Sequence, residues 1–142
     1  MLRFLSSVAV CAFFFGLAAG VKHLAAPPEP ANYRVVYLGM KSCGACKYWK
    51  SNTLPEWRKN PNSKYVKLEM AEIQPRGDFG SYQKVADEVF AGRIGMLFPT
   101  YGVYSNGELT RVYVGASGWK QIEQLASKEA KYDQKRQQKV TG

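Results

Sequence analysis

Histidine is almost absent from this chain: His23 is the only one. A histidine-assisted nucleophile or a histidine-built metal site therefore has almost no material. Cysteine is scarce as well, with Cys11, Cys43 and Cys46 the full set. Three are too few for a scaffold held by disulfides, so stability must come from a packed core and a sheet. Long apolar runs are missing except for one, Phe4 to Ala19, and at 16 residues it falls short of the roughly 20 that a helix needs to cross a bilayer. Acidic residues are few, 11 against 20 lysines and arginines. Internal repeats are not apparent.

What is present begins with that apolar run. Arg3 supplies a positive start and Ala18-Ala19-Gly20 offers small residues for cleavage after Gly20, so residues 1–20 read as a signal peptide, with retention as an N-terminal anchor the alternative. Cys11 lies inside the run behind Val10, which is not the small residue that lipidation wants, and reads as one more hydrophobe of the leader. Residues 21–32 contain Ala25-Ala26-Pro27-Pro28-Glu29-Pro30, an extended linker by composition. His23 falls upstream of these prolines and reads as solvated. The expected location is periplasmic or otherwise extracytoplasmic.

The remaining 110 residues divide into a domain over 33–132 and a basic tail over 133–142. At 46% hydrophobic content the chain can build one modest core. Residues Val35 to Met40 are apolar apart from Gly39, without polar alternation, as in a strand covered on both faces. The strand runs through Lys41-Ser42 into Cys43-Gly44-Ala45-Cys46. Ser42 is a candidate N-cap, and Ala45, Tyr48, Trp49 and Asn52 recur at helical spacing until Pro55, which should kink or stop the helix.

Cys43 thus falls in a first helical turn, where unpaired N–H groups and the helix dipole favour a thiolate over a thiol. The thiolate is the nucleophile in disulfide exchange. Cys46, three residues on, is placed to close a small ring and resolve a mixed disulfide. Lys41 and Lys47 add positive potential. The same tetrapeptide admits two other readings, a metal or haem role and an inert structural disulfide. Metal binding lacks partners nearby, since Cys11 and His23 lie in the leader and linker and Met40 alone is close.

Several further positions agree with one family. Phe98-Pro99-Thr100 precedes a predicted strand, Asn106-Gly107-Glu108 marks a hairpin, the strand Leu109 to Val114 ends at Gly115, and Val66-Lys67-Leu68 forms a second core strand. With the Cys43–Cys46 pair, these residues resemble the thioredoxin-like superfamily over roughly residues 33 to 132. The resemblance implies a minimal thioredoxin-like α/β fold, a four-stranded mixed sheet flanked by helices, with the first two strands parallel and the last two a hairpin. It further implies catalytic Cys43 and Cys46 joined as a redox disulfide, a cis-Pro99 beside the reactive sulfur, and Phe98 facing substrate. Lys67 would assist proton transfer or else be an exposed strand lysine. One departure stands out: the family's buried acid would fall at Tyr37.

Elsewhere, Ser81 is a candidate cap for a helix whose stripe is Tyr82, Val85, Ala86, Val89 and Phe90, closed by Gly92. Ser117 opens a last helix that turns Trp119, Ile122, Leu125 and Ala126 to the sheet and fades beyond Tyr132. The net charge of +9, +8 without Arg3, favours anionic lipid heads or acidic partners. Peripheral membrane contact through the leader or tail is the alternative to a merely solvated tail; nucleic acid is not an expected partner.

The expected function is thiol–disulfide exchange on protein thiols and disulfides, with no cofactor beyond the redox-active disulfide and no metal. Gly44-Ala45 adds nothing that would stabilise the reduced pair unusually, so the direction leans towards a reductant kept reduced by a membrane electron-transfer partner. A monomer is expected. The alternatives are a copper or cytochrome-maturation thiol delivery module and an anchored interaction domain with a structural disulfide.

Overall fold

In a computed structural model of the chain, residues 33–141 are described; the leader, Cys11, His23 and the linker lie outside them. The apolar run forms β1 (Tyr33–Gly39), in which Val35, Val36, Tyr37 and Leu38 are fully buried. Alternation sends Val35 and Tyr37 to one face and Val36 and Leu38 to the other. A strand buried on both faces must be central, and β1 is: the sheet order is β2-β1-β3-β4. β2 (Val66–Glu72) pairs with it in parallel, Tyr33 opposite Val66 and Gly39 opposite Glu72. β3 (Thr100–Ser105) pairs with it antiparallel, and β4 (Glu108–Val114) closes the hairpin. Asn106 and Gly107 take the positive φ angles, 53° and 84°, that a two-residue turn requires. This is the four-stranded mixed sheet flanked by helices that the sequence leads one to expect.

One face of the sheet is covered by the helix after the cysteines and by the C-terminal helix. Trp49, Leu54 and Trp57 from the first and Trp119, Ile122 and Ala126 from the second join Val35, Tyr37, Tyr101 and Val103 in one cluster. Trp119 meets Trp49 and Trp57 edge-on, at 4.9 and 5.3 Å between ring centroids. The other face is covered by α3 (Gln83–Phe90), whose stripe of Tyr82, Val85, Ala86, Val89 and Phe90 packs on Val36 and Leu38. Gly92 is left-handed at φ 69°.

Three expectations about helices need correction. Of the two outcomes expected at Pro55, a kink or a stop, the stop does not occur: α1 (Gly44–Tyr48) passes through a π-helical turn (Trp49–Thr53) into α2 (Leu54–Lys59). Leu54 N–H reaches back five residues to the Trp49 carbonyl, and the widened turn accommodates the donor that proline lacks. Ser81 does not cap α3, which is led in by a 3₁₀ turn over Gly80–Tyr82; the Phe79 N–H is taken instead by the Gln83 side chain. The last helix, α4 (Gly115–Thr141), starts before Ser117 and continues as helix past Tyr132, where its apolar pattern fades. Tyr65 donates to Asp133 at 2.8 Å and so ties the start of the expected tail to the body. No helix among the described residues is long and apolar enough to cross a membrane.

Candidate functional site

β1 ends at Gly39, and the chain turns at once, Cys43 N–H bonding back to the Met40 carbonyl at 3.1 Å. The turn delivers Cys43, not Ser42, to the N-cap of α1. Its backbone is extended (φ −73°, ψ 117°), and its sulfur accepts the Cys46 N–H at 3.1 Å, the bond that a serine or aspartate oxygen makes at an ordinary cap. On its other side the same sulfur lies 3.7 Å from the Phe98 carbonyl, to which the thiol donates. Phe98 is joined to Pro99 by a cis peptide bond.

The two cysteines, both free thiols, differ sharply in access. Cys43 is half-buried and reachable, whereas Cys46 is 0% exposed. Burial pushes the Cys46 thiol above its ordinary value, the neighbouring Cys43 adds to this, and contacts from the Met40 backbone and Tyr37 oppose it. A half-buried sulfur hydrogen-bonded at a helix start and a sealed one a turn below are suited to attack and resolution respectively. Lys41 and Lys47 are exposed beside them.

Phe98 and Pro99 are therefore brought to the pair, but through backbone rather than ring. The Phe98 ring turns inward against Phe79 and Phe90, at 6.3 and 6.0 Å between centroids, and Pro99 is buried. Just before them in the chain Ile94, Met96 and Leu97 are exposed, as is Tyr48 on α1.

Lys67 is not brought there. It pairs in register with Arg34, at the far end of β1. Five residues of strand, about 16 Å, separate it from Glu72, which faces Gly39. Its ammonium is exposed and lies 3.0 Å from Glu69. At the cysteine end of the sheet stands an ion pair that no sequence signal marks, Lys50 with Glu72: Lys50 stands one helical turn beyond Cys46, and Glu72 stands at the end of β2 beside β1. No group of three or more histidine, cysteine or carboxylate side chains is assembled to hold a metal among the described residues.

Tyr37, at the position where an acid would complete the resemblance, is buried in the cluster that includes Cys46. Burial raises its hydroxyl well above the usual tyrosine range.

No protein-family model matches the sequence, and no curated protein matches it. Among solved structures, the chain is similar to thioredoxin f2 of Chlamydomonas reinhardtii at 17% identity, covering 71% of this chain and 82% of that one, with a TM-score of 0.48. It is also similar to the oxidised thioredoxin of Plasmodium falciparum (20% identity, 69% and 81% covered, TM-score 0.48). A third similar structure is the reduced periplasmic thioredoxin SoxS of Paracoccus pantotrophus (13% identity, 69% and 98% covered, TM-score 0.46).

Proposed function

We propose that the protein is a thiol–disulfide oxidoreductase that acts on protein thiols and disulfides through Cys43 and Cys46. The observation that carries this reading is the asymmetry of the pair: a reachable Cys43 sulfur capping a helix opposite the Phe98 carbonyl, over a sealed Cys46. The Cys43 thiolate attacks a substrate disulfide and forms a mixed disulfide; Cys46 then attacks Cys43, releasing the substrate thiol and leaving the pair oxidised. In the reverse sense the oxidised pair accepts electrons from a substrate dithiol. An extended substrate segment lying along residues 94–98 would place its sulfur at Cys43 and its apolar side chains on Ile94, Met96 and Leu97. The pair itself is the only redox group the reaction requires.

The direction we favour is reduction, in an extracytoplasmic compartment, with a membrane electron carrier as the source of electrons. The leader-like residues 1–20 support the compartment, and the plain Gly44-Ala45 spacer supports the direction. A Cys46→Ser variant tests the function: lacking the resolving thiol, it is expected to accumulate mixed disulfides with its partners in cells. If no adduct forms on an adequately expressed variant, exchange is not its role. An equilibrium potential between about −270 and −120 mV fits exchange, whereas one below about −300 mV marks a structural bridge.

A further inference from the structure

Polar atoms sealed inside a protein nearly always find a partner, because an unmade hydrogen bond leaves the whole desolvation cost uncompensated. Three buried side-chain atoms among the described residues have none: Tyr37 Oη, Trp49 Nε1 and Tyr101 Oη. All belong to the cluster that contains Cys46. The rings of Tyr37 and Trp49 stack at 4.7 Å, and Tyr101 tilts against them at 5.9 and 5.8 Å. Phenylalanine at position 37 would fill nearly the same space without an orphaned hydroxyl, so packing alone does not account for a tyrosine.

The hydroxyl of Tyr37 is also given room at a particular place. Its ring leans along β1 over Gly39: a Cβ at residue 39 would fall 2.3 Å from Tyr37 Oη and 2.4 Å from a ring carbon. The missing side chain at Gly39 leaves open the space the hydroxyl occupies, at the end of the strand from which the chain turns to the cysteines. Tyr37 and Cys46 lie in the same buried cluster and alter each other's ionisation, although no hydrogen bond of ordinary geometry joins them in the thiol form.

We propose that Tyr37 is a positioning residue for exchange, its hydroxyl donating a hydrogen bond to the Cys46 sulfur when that sulfur becomes a thiolate. The inference rests on the function proposed above. A neutral thiol sulfur is a weak acceptor, so the hydroxyl stands idle beside it; a thiolate is charged and accepts strongly. In the resolving step Cys46 gives its proton to solvent and its thiolate attacks the Cys43 sulfur of the mixed disulfide. The Cys43–Cys46 bond forms and the bond to the substrate sulfur breaks. The substrate leaves as a thiolate and takes up a proton from water. The cysteine pair has lost two electrons and the substrate disulfide has gained them. The titratable groups that face Cys46 are Cys43 on its own helical turn, Tyr37 from β1 and Tyr101 from β3, while Glu72 of β2, paired with Lys50, acts on Tyr37.

The test is a stopped-flow reaction of the reduced protein with 5,5′-dithiobis(2-nitrobenzoate), comparing the unaltered chain with Tyr37→Phe. Attack by Cys43 releases a first thionitrobenzoate and resolution by Cys46 a second. In Tyr37→Phe the pH midpoint of the second phase is expected to rise by about one unit, with an approximately tenfold slower phase at neutral pH, because fewer Cys46 sulfurs are ionised. The ring is kept and an unpaired buried hydroxyl removed, so the melting temperature should hold or rise. A midpoint that stays where it was overturns the proposal, whatever happens to the rate or the melting temperature. Should the unaltered protein show no second phase, the pair does not exchange and both readings fall together.

Discussion

The carboxylate of Glu69 should stabilise the fold only above a narrow acidic window. It accepts from Arg34 Nε at 3.1 Å and Arg34 Nη2 at 2.9 Å through one oxygen, and lies 3.0 Å from Lys67 Nζ through the other. The hydrogen bond from Arg34, against an opposing cost of burial and with further help from Lys67, holds this carboxyl at about 2, below an ordinary 4.5. At 1.36 kcal/mol per pH unit the difference sets a ceiling of about 3.4 kcal/mol. Solvent screens much of it, since the Arg34 and Lys67 side chains are 36% and 74% exposed; a contribution of about 1 to 1.5 kcal/mol remains. Because the folded-state value is depressed, the stabilisation is complete above about 4.5 and disappears as the pH falls through about 2. Glu69→Gln should therefore lower the melting temperature at pH 7 by roughly 5 °C. The gap should close on acidification to pH 2 and narrow in 1 M salt. Thermal unfolding of the two proteins across this pH range is the assay. A gap that is absent at pH 7, or that persists unchanged at pH 2, would refute the reasoning.

Lys67→Ala tests the placement of that lysine: exchange activity should match the unaltered protein within error, while stability falls by about 0.2 to 1 kcal/mol from loss of an exposed ion pair; a clear loss of rate would restore a proton-transfer role. Trp119→Ala should cost about 3 to 5 kcal/mol in urea unfolding, because Trp119 is 2% exposed and is wedged edge-on between Trp49 and Trp57. A cost below about 1 kcal/mol would mean that the helix-covered face of the sheet is not packed as described.

The sheet was legible because its signals are local. An apolar run broken only by Gly39 marks a strand covered on both sides, Val66-Lys67-Leu68 marks a second strand, and Asn106-Gly107 fixes a hairpin. The position of the cysteines follows from the same reading, strand into helix. The helix ends were less legible. A thiol is not among the usual capping groups, so Ser42 drew attention that Cys43 merits. Pro55 is a stop signal in an α-helix and ceases to be one when the turn before it widens to i−5 bonding. The polar stretch after Tyr132 lacks an apolar stripe, and its first turn is tied to the body by a long-range bond from Tyr65. Lys67 and Glu72 differ by register: only the pairing of β2 with β1 shows that residue 72, not residue 67, stands at the cysteine end. A motif can be read from spacing, but the groups behind it come from strands whose alignment the spacing does not contain.

Cys46 takes part in the site in two ways, and the two are linked through Cys43. Its N–H caps the helix by donating to the Cys43 sulfur, and in the function proposed above its own sulfur is the group that later attacks that same atom. While Cys43 is a thiolate the donated bond is charge-assisted and strong. Once Cys43 is bonded to a substrate sulfur it has become a poor acceptor, the N–H loses its best partner, and the first turn is held less firmly. In the proposed exchange, the turn that carries Cys46 is thus held less firmly at the step in which its buried sulfur forms a bond to Cys43. Under this scheme, forming the mixed disulfide weakens the cap on the turn that carries the resolving sulfur.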